Sequence, residues 1–261
     1  MTLALRQTGA LAWRSVRTTL RIPQTWFPSL FFPLTLLAIF TGSFGDAPGH
    51  VPGFPPVRGF LDFAVAGSVL QGVLIAGTGA GAAFAADIET GFFDRLVASP
   101  VSRWAILTGR LGASVAQGVV QGLLFLGVAV AFGARVSAGA GGVLVLVLFA
   151  VLLAAAIGGL GVILALRTGS GEAVQGAFPL FFVLLFFSSA FFPRETMGGW
   201  YRHVADVNPV SHIVEGMRAQ VIAGGTARTT LVGLAFALGF AVISVGVAAL
   251  AYRRRLATEG A

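Results

Sequence analysis

The sequence has no lysine, no cysteine and three histidines, and only 10% of its 261 residues are charged. Each shortage closes a class of function. A Walker-type phosphate loop needs a lysine to reach the β- and γ-phosphates, so the chain does not hydrolyse ATP in that way. Without cysteine there are no disulfides and no thiolate metal sites. His50, His203 and His212 all lie outside the long apolar runs, so a buried Ser–His pair or a multi-histidine metal site has no obvious place to form. A metal held by His203 and His212 together stays open, beside the plainer reading of solvated loop histidines. Ionisable residues are also missing from the apolar runs, apart from Asp62 and Asp87 at their edges. A carboxylate relay for ion coupling finds little support, while backbone-carbonyl ion sites stay open.

What remains is apolar. Hydrophobic residues make up 56% of the chain and the mean hydropathy is +0.89, whereas a soluble domain carries about 25% charged residues. Six uncharged runs stand out: Ile22–Gly45, Phe63–Ala86, Leu111–Ala134, Val136–Leu166, Ala173–Pro193 and Thr229–Tyr252. Each has the roughly 20 residues a helix needs to cross the hydrocarbon. None alternates strictly, which argues against a transmembrane β-barrel, and backbone groups in lipid must be paired internally. The expectation is an all-α integral membrane protein, a single domain over 1–261 with six transmembrane helices.

Six spans put both termini on one side. That side holds Arg6, Arg14, Arg17, Arg21, Arg95, Arg103, Arg110, Arg167, Arg253, Arg254 and Arg255, against six arginines (58, 135, 194, 202, 218, 228) on the other. Positive residues stay cytoplasmic, so both termini are expected there. A pI near 11.5 invites a nucleic-acid reading, but the arginines are scattered among loops and anionic inner-leaflet lipid accounts for them. The N-terminus does not read as a cleavable signal peptide, because no small-residue cleavage site ends its first apolar run.

Along the chain, residues 1–21 read as an amphipathic interfacial helix. Arg6, Arg14, Arg17 and Arg21 share one arc, with Leu5, Trp13, Val16 and Leu20 on the next. Pro23 and Pro28 mark the turn into the first span and its opening. The external loop 46–59 is rich in Pro and Gly and should be irregular. Gly77, Gly79 and Gly81 superficially resemble a phosphate loop but suit close helix packing better. A Gly-rich turn at 137–142 joins spans 3 and 4. Within the spans, Gln71, Gln117, Gln121 and Gln175 serve as interhelical hydrogen-bonding residues or, more sharply, as substrate contacts. With Phe187 and Phe191 from the phenylalanine-rich run 181–193, Gln71, Gln117 and Gln121 are candidates for a substrate path. The external segment 194–228 should hold a short helix starting at Asn208-Pro209, with Val210, Ile213, Val214, Met217 and Val221 on one face, dipping toward the outer leaflet.

The stretch 89–104, ETGFFDRLVASPVSRW, is charged yet lies between two long apolar runs. As a helix over 92–99 it places Phe92, Phe93, Leu96 and Val97 on one side and Asp94, Arg95 and Ala98 on the other. Pro100 ends it, and Glu89 and Thr90 sit in its first turn, where negative charge is favourable. Such an element is a lever joined to two spans and offered to the cytosol. It also reads as an ordinary interfacial loop, and periodicity does not name a partner.

Asp87-Ile-Glu89-Thr-Gly91 through Leu96-Val-Ala-Ser-Pro100-Val-Ser102-Arg103, followed by Gly109-Arg110, closely resembles the signature of ABC-2 type exporter permeases, a class that includes the daunorubicin-resistance permeases. Pro193, Trp200, Asn208-Pro209 and Arg218, with Gly224 behind them, look like that family's external region. The resemblance covers nearly the whole chain. Ile88 departs from it, since the family often has an arginine or acidic residue there, and this leaves the docking contacts open.

The resemblance implies a cytoplasmic coupling segment over 88–103 that docks on a separate ATP-binding subunit through Glu89, Phe92, Phe93, Asp94, Arg95, Leu96, Pro100 and Arg103. It implies two ATPase copies, which carry ATP and Mg, and a second permease, identical or homologous. This chain itself would hold no cofactor, no metal and no catalytic residue, and would contact membrane lipids but no nucleic acid. The expected place is the plasma membrane of a bacterial cell. The expected function is outward transport of a hydrophobic or amphiphilic compound, such as a drug, an antibiotic or a lipid-like metabolite. An ATP-independent channel or carrier, a membrane scaffold and a polysaccharide-export permease remain the alternatives, with an intramembrane enzyme more distant.

Overall fold

A computed structural model describes residues 2–21, 23–222 and 225–258. The regular structure there is helical, without strands among the described residues. In chain order the helices are α1 (Thr2–Arg21), α2 (Pro23–Phe44), α3 (Ala47–His50), α4 (Phe60–Glu89), α5 (Phe92–Ala98), α6 (Arg103–Ala131), α7 (Gly139–Thr168), α8 (Gly171–Gly176), α9 (Phe178–Phe186), α10 (Gly199–Val207), α11 (Pro209–Arg218) and α12 (Ala227–Thr258). Among the described residues, five helical stretches are long and apolar enough to cross a membrane: Phe27–His50, α4, α6, α7 and Ala227–Ala257.

The fifth expected span, Ala173–Pro193, is not one helix. It is broken at Ala177 into α8 and α9, and the helix ends at Phe186. The cause is in the sequence: Pro179 has no N–H for the preceding turn and its ring crowds the carbonyl four residues back. Two further boundaries differ from expectation. Gly139–Gly142 belong to the first turn of α7 rather than to a connecting loop, so the turn spans 132–138. Helix α6 begins at Arg103, eight residues before the uncharged run.

Helix α4 is the hub, with 78% of its most apolar stretch buried inside the molecule, against 17% for the first span. Small residues make this density attainable. A Cβ added to Gly81 would lie 2.6 Å from the Cα of Gly161 on α7, so the two backbones touch where a side chain would separate them. Phe125 and Phe149 fill the middle of the bundle. A second cluster at one end joins Phe84, Phe93, Ile106, Val162 and Tyr252.

Helix α1 and the last turns of α12 lie at that end of the bundle. The Ser102 N–H donates to Gln7 Oε1 on α1 at 3.2 Å, and the Tyr252 hydroxyl near the end of α12 donates to the Arg103 carbonyl at 2.9 Å. Arg6, Arg14 and Arg17 are exposed, and Trp13 is too. The face of α1 turned inward carries Gln7, Thr8 and Leu11. The side chains of Leu5 and Leu20, named for the apolar arc, lie outside the described residues, as does Gly224.

Candidate functional site

The stretch between α4 and α6 is built from a turn, a helix and a second turn. Gly91 takes φ +66°, a left-handed conformation that glycine adopts without a Cβ clash, and this ends α4 and starts α5. Phe93 is fully buried, edge-on to Phe84 at 5.6 Å and to Tyr252 at 6.1 Å. Leu96 and Val97 pack on the same cluster. Phe92 lies under the Arg14 guanidinium of α1, 3.8 Å from its ring centre. Asp94, Arg95, Pro100 and Arg103 are exposed. Arg95 Nε donates back to the Gly91 carbonyl at 3.3 Å. The result is a short platform whose aromatic side is fastened to three elements and whose charged side is free of the bundle.

Glu89 is not in the first turn of this helix. It is the last residue of α4, and its Oε1 accepts a hydrogen bond from the Gly171 N–H at 2.9 Å, at the start of α8.

The structure adds a network that periodicity did not reveal. Asp87 pairs with Arg110 and, at 3.6 Å, with Arg14. Thr8 and Thr108 share a hydrogen bond at 3.1 Å. Helix α1 is therefore tied to the platform and to both flanking spans. The available signal was the opposite charge of Asp87 and Arg110, which stand at the facing edges of two apolar runs.

At the other end of the bundle, side chains satisfy the open end of α9. The last carbonyls of a helix have no partners within it. Asn208 Nδ2 donates to the Leu184 and Phe187 carbonyls at 2.7 and 2.9 Å, while its Oδ1 caps α11 by accepting from the Val210 N–H at 2.9 Å. Pro209 fills the first turn of α11, where a missing N–H costs nothing. The Tyr201 hydroxyl donates to the Phe186 carbonyl; burial raises its pKa, so the donor proton stays in place at neutral pH. Arg218 is buried and donates to the carbonyls of Phe63 (3.1 Å), Ser189 (2.8 Å) and Ala190 (3.4 Å). Its guanidinium stands 3.6 Å from the centre of the Phe63 ring. Burial lowers its pKa to about 9, partly offset by Glu215 and Glu195, so it remains a cation at neutral pH.

Trp200 is exposed and touches Phe187 at 6.1 Å. The apolar face of α11 was expected to dip into the outer leaflet. Ile213, Val214 and Met217 are instead buried in the main core. Arg194 joins α10 to α11 by pairing with Asp206 at 3.3 Å and with Glu215.

The five residues expected to form a path are not one group. Gln71 and Phe191 line a common cleft between α2, α4 and the segment 187–192. Its enclosed volume is about 10 Å³, room for roughly one water. Gln121 on α6 donates to Ser29 of α2, Gln117 is half-buried on α6, and Phe187 packs on Trp200 and Tyr201.

Residues 6–222 match the sequence profile of the ABC-2 type transporter. The chain belongs to the ABC-2 type transporter family. It is 30% identical over 240 residues to a daunorubicin resistance ABC transporter permease protein, DrrB1, of Streptomyces coeruleorubidus, spanning 89% of this chain and 80% of that one. A probable doxorubicin resistance ABC transporter permease protein, DrrC, of Mycobacterium tuberculosis is 29% identical over 165 residues, 63% of this chain and 59% of its own. The putative transport permease ycf38 of Porphyra purpurea is 24% identical over 216 residues, 82% and 73% of the two chains.

This ABC-2 chain is thus a multi-pass membrane subunit of an ABC transporter. The profile spans the α5 platform, the broken pair α8–α9 and the α10–α11 cap, where the structure departs from plain spanning helices.

Proposed function

We propose that this ABC-2 permease is the membrane subunit of an exporter that moves a hydrophobic or amphiphilic compound outward, energised by ATP and Mg bound on a separate ATPase subunit. The observation that carries the reading is α5: Phe93 is held in the core while Asp94 and Arg95 on the same seven-residue helix are exposed. A rigid helix between two spans transmits a push, whereas a solvated loop absorbs it. Asp94, Arg95, Leu96, Pro100 and Arg103 form the docking surface, with Phe92 and Phe93 as its anchors. Glu89 acts beside them by holding α8 to α4.

In this reading two ATPase copies serve a pair of permeases, the second identical or homologous to this chain. Both termini and α5 face the cytoplasm of a bacterial cell, in keeping with the arginine bias. The broken pair α8–α9 makes the fifth crossing, because α7 ends beside Arg255 and α12 begins beside Gln220, at opposite ends of the bundle. The resistance named in two relatives favours a drug-type compound over a charged polymer.

The test is co-expression of tagged chain with the genomically adjacent ATP-binding protein, followed by ATP hydrolysis in lipid. A stable complex with vanadate-sensitive hydrolysis is expected. Absence of any associated ATPase would turn the assignment toward an ATP-independent channel or carrier.

A further inference from the structure

Gln71 is 1% exposed, and its side-chain nitrogen makes no hydrogen bond. It lies in the wall of the cleft with Phe40, Phe60 and Phe191. Those rings touch: the centres of Phe40 and Phe191 are 5.4 Å apart, and those of Phe40 and Phe60 are 6.4 Å apart. No charged side chain lines the cleft. Its other polar side chain, Ser68, already donates to the Ala64 carbonyl at 3.2 Å. Gln71 therefore presents the free donor of an aromatic cleft.

A buried donor without an acceptor is unfavourable, and a leucine at the same place would avoid that. An unmet donor also selects, since a site built to give a hydrogen bond disfavours a guest that cannot accept one. A cation would meet the positive end of the Gln71 N–H with no carboxylate to offset it, and a sugar chain would need many polar partners, which the cleft lacks. The outer wall is α2, the least buried of the five long stretches. Pro28 and Pro33 lie inside that helix, and each removes a backbone hydrogen bond. As it stands the cleft has room for roughly one water, so a larger guest enters only if a wall leans away, and α2 is the wall held least.

We propose that Gln71 is the specificity-determining donor of a substrate subsite for a neutral, ring-bearing amphiphile. The guest accepts from Gln71 through a carbonyl or ether oxygen, while Phe40, Phe60 and Phe191 pack on its rings. The purpose of this binding rests on the exporter reading; the binding itself does not.

The test uses the full chain in lipid nanodiscs and equilibrium binding of tritiated anthraquinone and tritiated anthracene, with empty nanodiscs subtracted. The two probes share a ring outline, but only the quinone has acceptors. The wild type should prefer the quinone. Gln71→Leu should weaken quinone binding roughly 3- to 10-fold and leave anthracene unchanged, whereas Phe191→Leu should weaken both alike. If Gln71→Leu does not fold, Gln71→Asn, which withdraws the donor by one methylene, should show the same selective loss. Equal affinity of the wild type for the two probes, or an equal change for both in the Gln71 variants, would overturn the proposal. The nanodisc result is read beside the ATPase pull-down. Quinone selectivity without an associated ATPase rejects the exporter and keeps the subsite; the converse rejects the subsite alone.

Discussion

Glu89, the last residue of α4, accepts a hydrogen bond from the Gly171 N–H 82 residues further along the chain, at 2.9 Å. The contact ties the end of the hub helix to the start of the broken one, adding a polar link to the packing of Val174 against α4, so a displacement of α5 at Gly91 is passed to α8. Glu89→Ala should remove this tie at a cost of about 0.5–1 kcal/mol. Hydrogen exchange at 171–176 should quicken, while insertion into the membrane is unaltered. Unchanged exchange there would show that α8 is held by packing alone.

The exposed pair on α5 is a separate matter. Exchanging charges, Asp94→Arg with Arg95→Glu, leaves the buried Phe93 untouched and should not disturb folding. Association with the ATPase subunit should fall at least about tenfold, the loss of one or two charged contacts. Retention of the wild-type complex, measured by co-purification, would remove α5 from the docking surface.

The crossing of α4 and α7 depends on a missing side chain. Gly81→Ala puts a Cβ 2.6 Å from the Gly161 Cα, and since backbone cannot rotate aside, the helices must separate. About 1–3 kcal/mol of destabilisation is expected, visible as a lowered Tm. Gly127→Ala on α6, where nothing lies within 4 Å, is the control and should be neutral or stabilising by up to about 1 kcal/mol.

Arg218 holds three carbonyls and a phenylalanine face. Arg218→Met keeps much of the volume but leaves the Ser189 and Ala190 carbonyls unmet, which should cost about 2–3 kcal/mol. Arg218→Lys should recover little, because an ammonium cannot reproduce the planar fork over Phe63. Full recovery of Tm by the lysine variant would mean that charge alone matters at this position.

Arg194 gives a prediction about pH. Burial opposes its charge, but the hydrogen bond and attraction of Glu215, then those of Asp206, outweigh this and raise its pKa beyond the ordinary arginine range. A raised basic group contributes its stability in full below the unfolded value and loses it only above. The stabilisation lost in Arg194→Gln, about 1 kcal/mol for a partly exposed network, should therefore not decline between pH 7 and roughly pH 10. A decline across that interval in paired thermal melts would show that Arg194 is not the group that matters.

The sequence by itself determined the parts of this protein that follow from local chemistry. Uncharged runs long enough to span lipid become helices, because an unpaired backbone group cannot be left in hydrocarbon. Asn208-Pro209 starts α11 because both residues suit a helix N-terminus, and the spacing of Phe93, Leu96 and Val97 puts them on the inward side of α5. Even the break at Ala177 was written in Pro179, although hydropathy alone passed over it.

Tertiary structure decided what depends on residues far apart in the chain. Glu89 left the first turn of α5 for Gly171; Asp87 found Arg110 and Arg14; Tyr252 reached the Arg103 carbonyl, 149 residues away. Asn208 and Arg218, which a linear reading could place only in an external region, turned out to bond carbonyls brought in from elsewhere: Asn208 those of Leu184 and Phe187 at the end of α9, Arg218 those of Ser189 and Ala190 beyond it and of Phe63 on α4. Periodicity reports which face of a helix is apolar. It carries no information about which other face comes to lie against it, because that choice is made when backbones pack at glycine contacts such as Gly81–Gly161 and bring distant polar groups within bonding range.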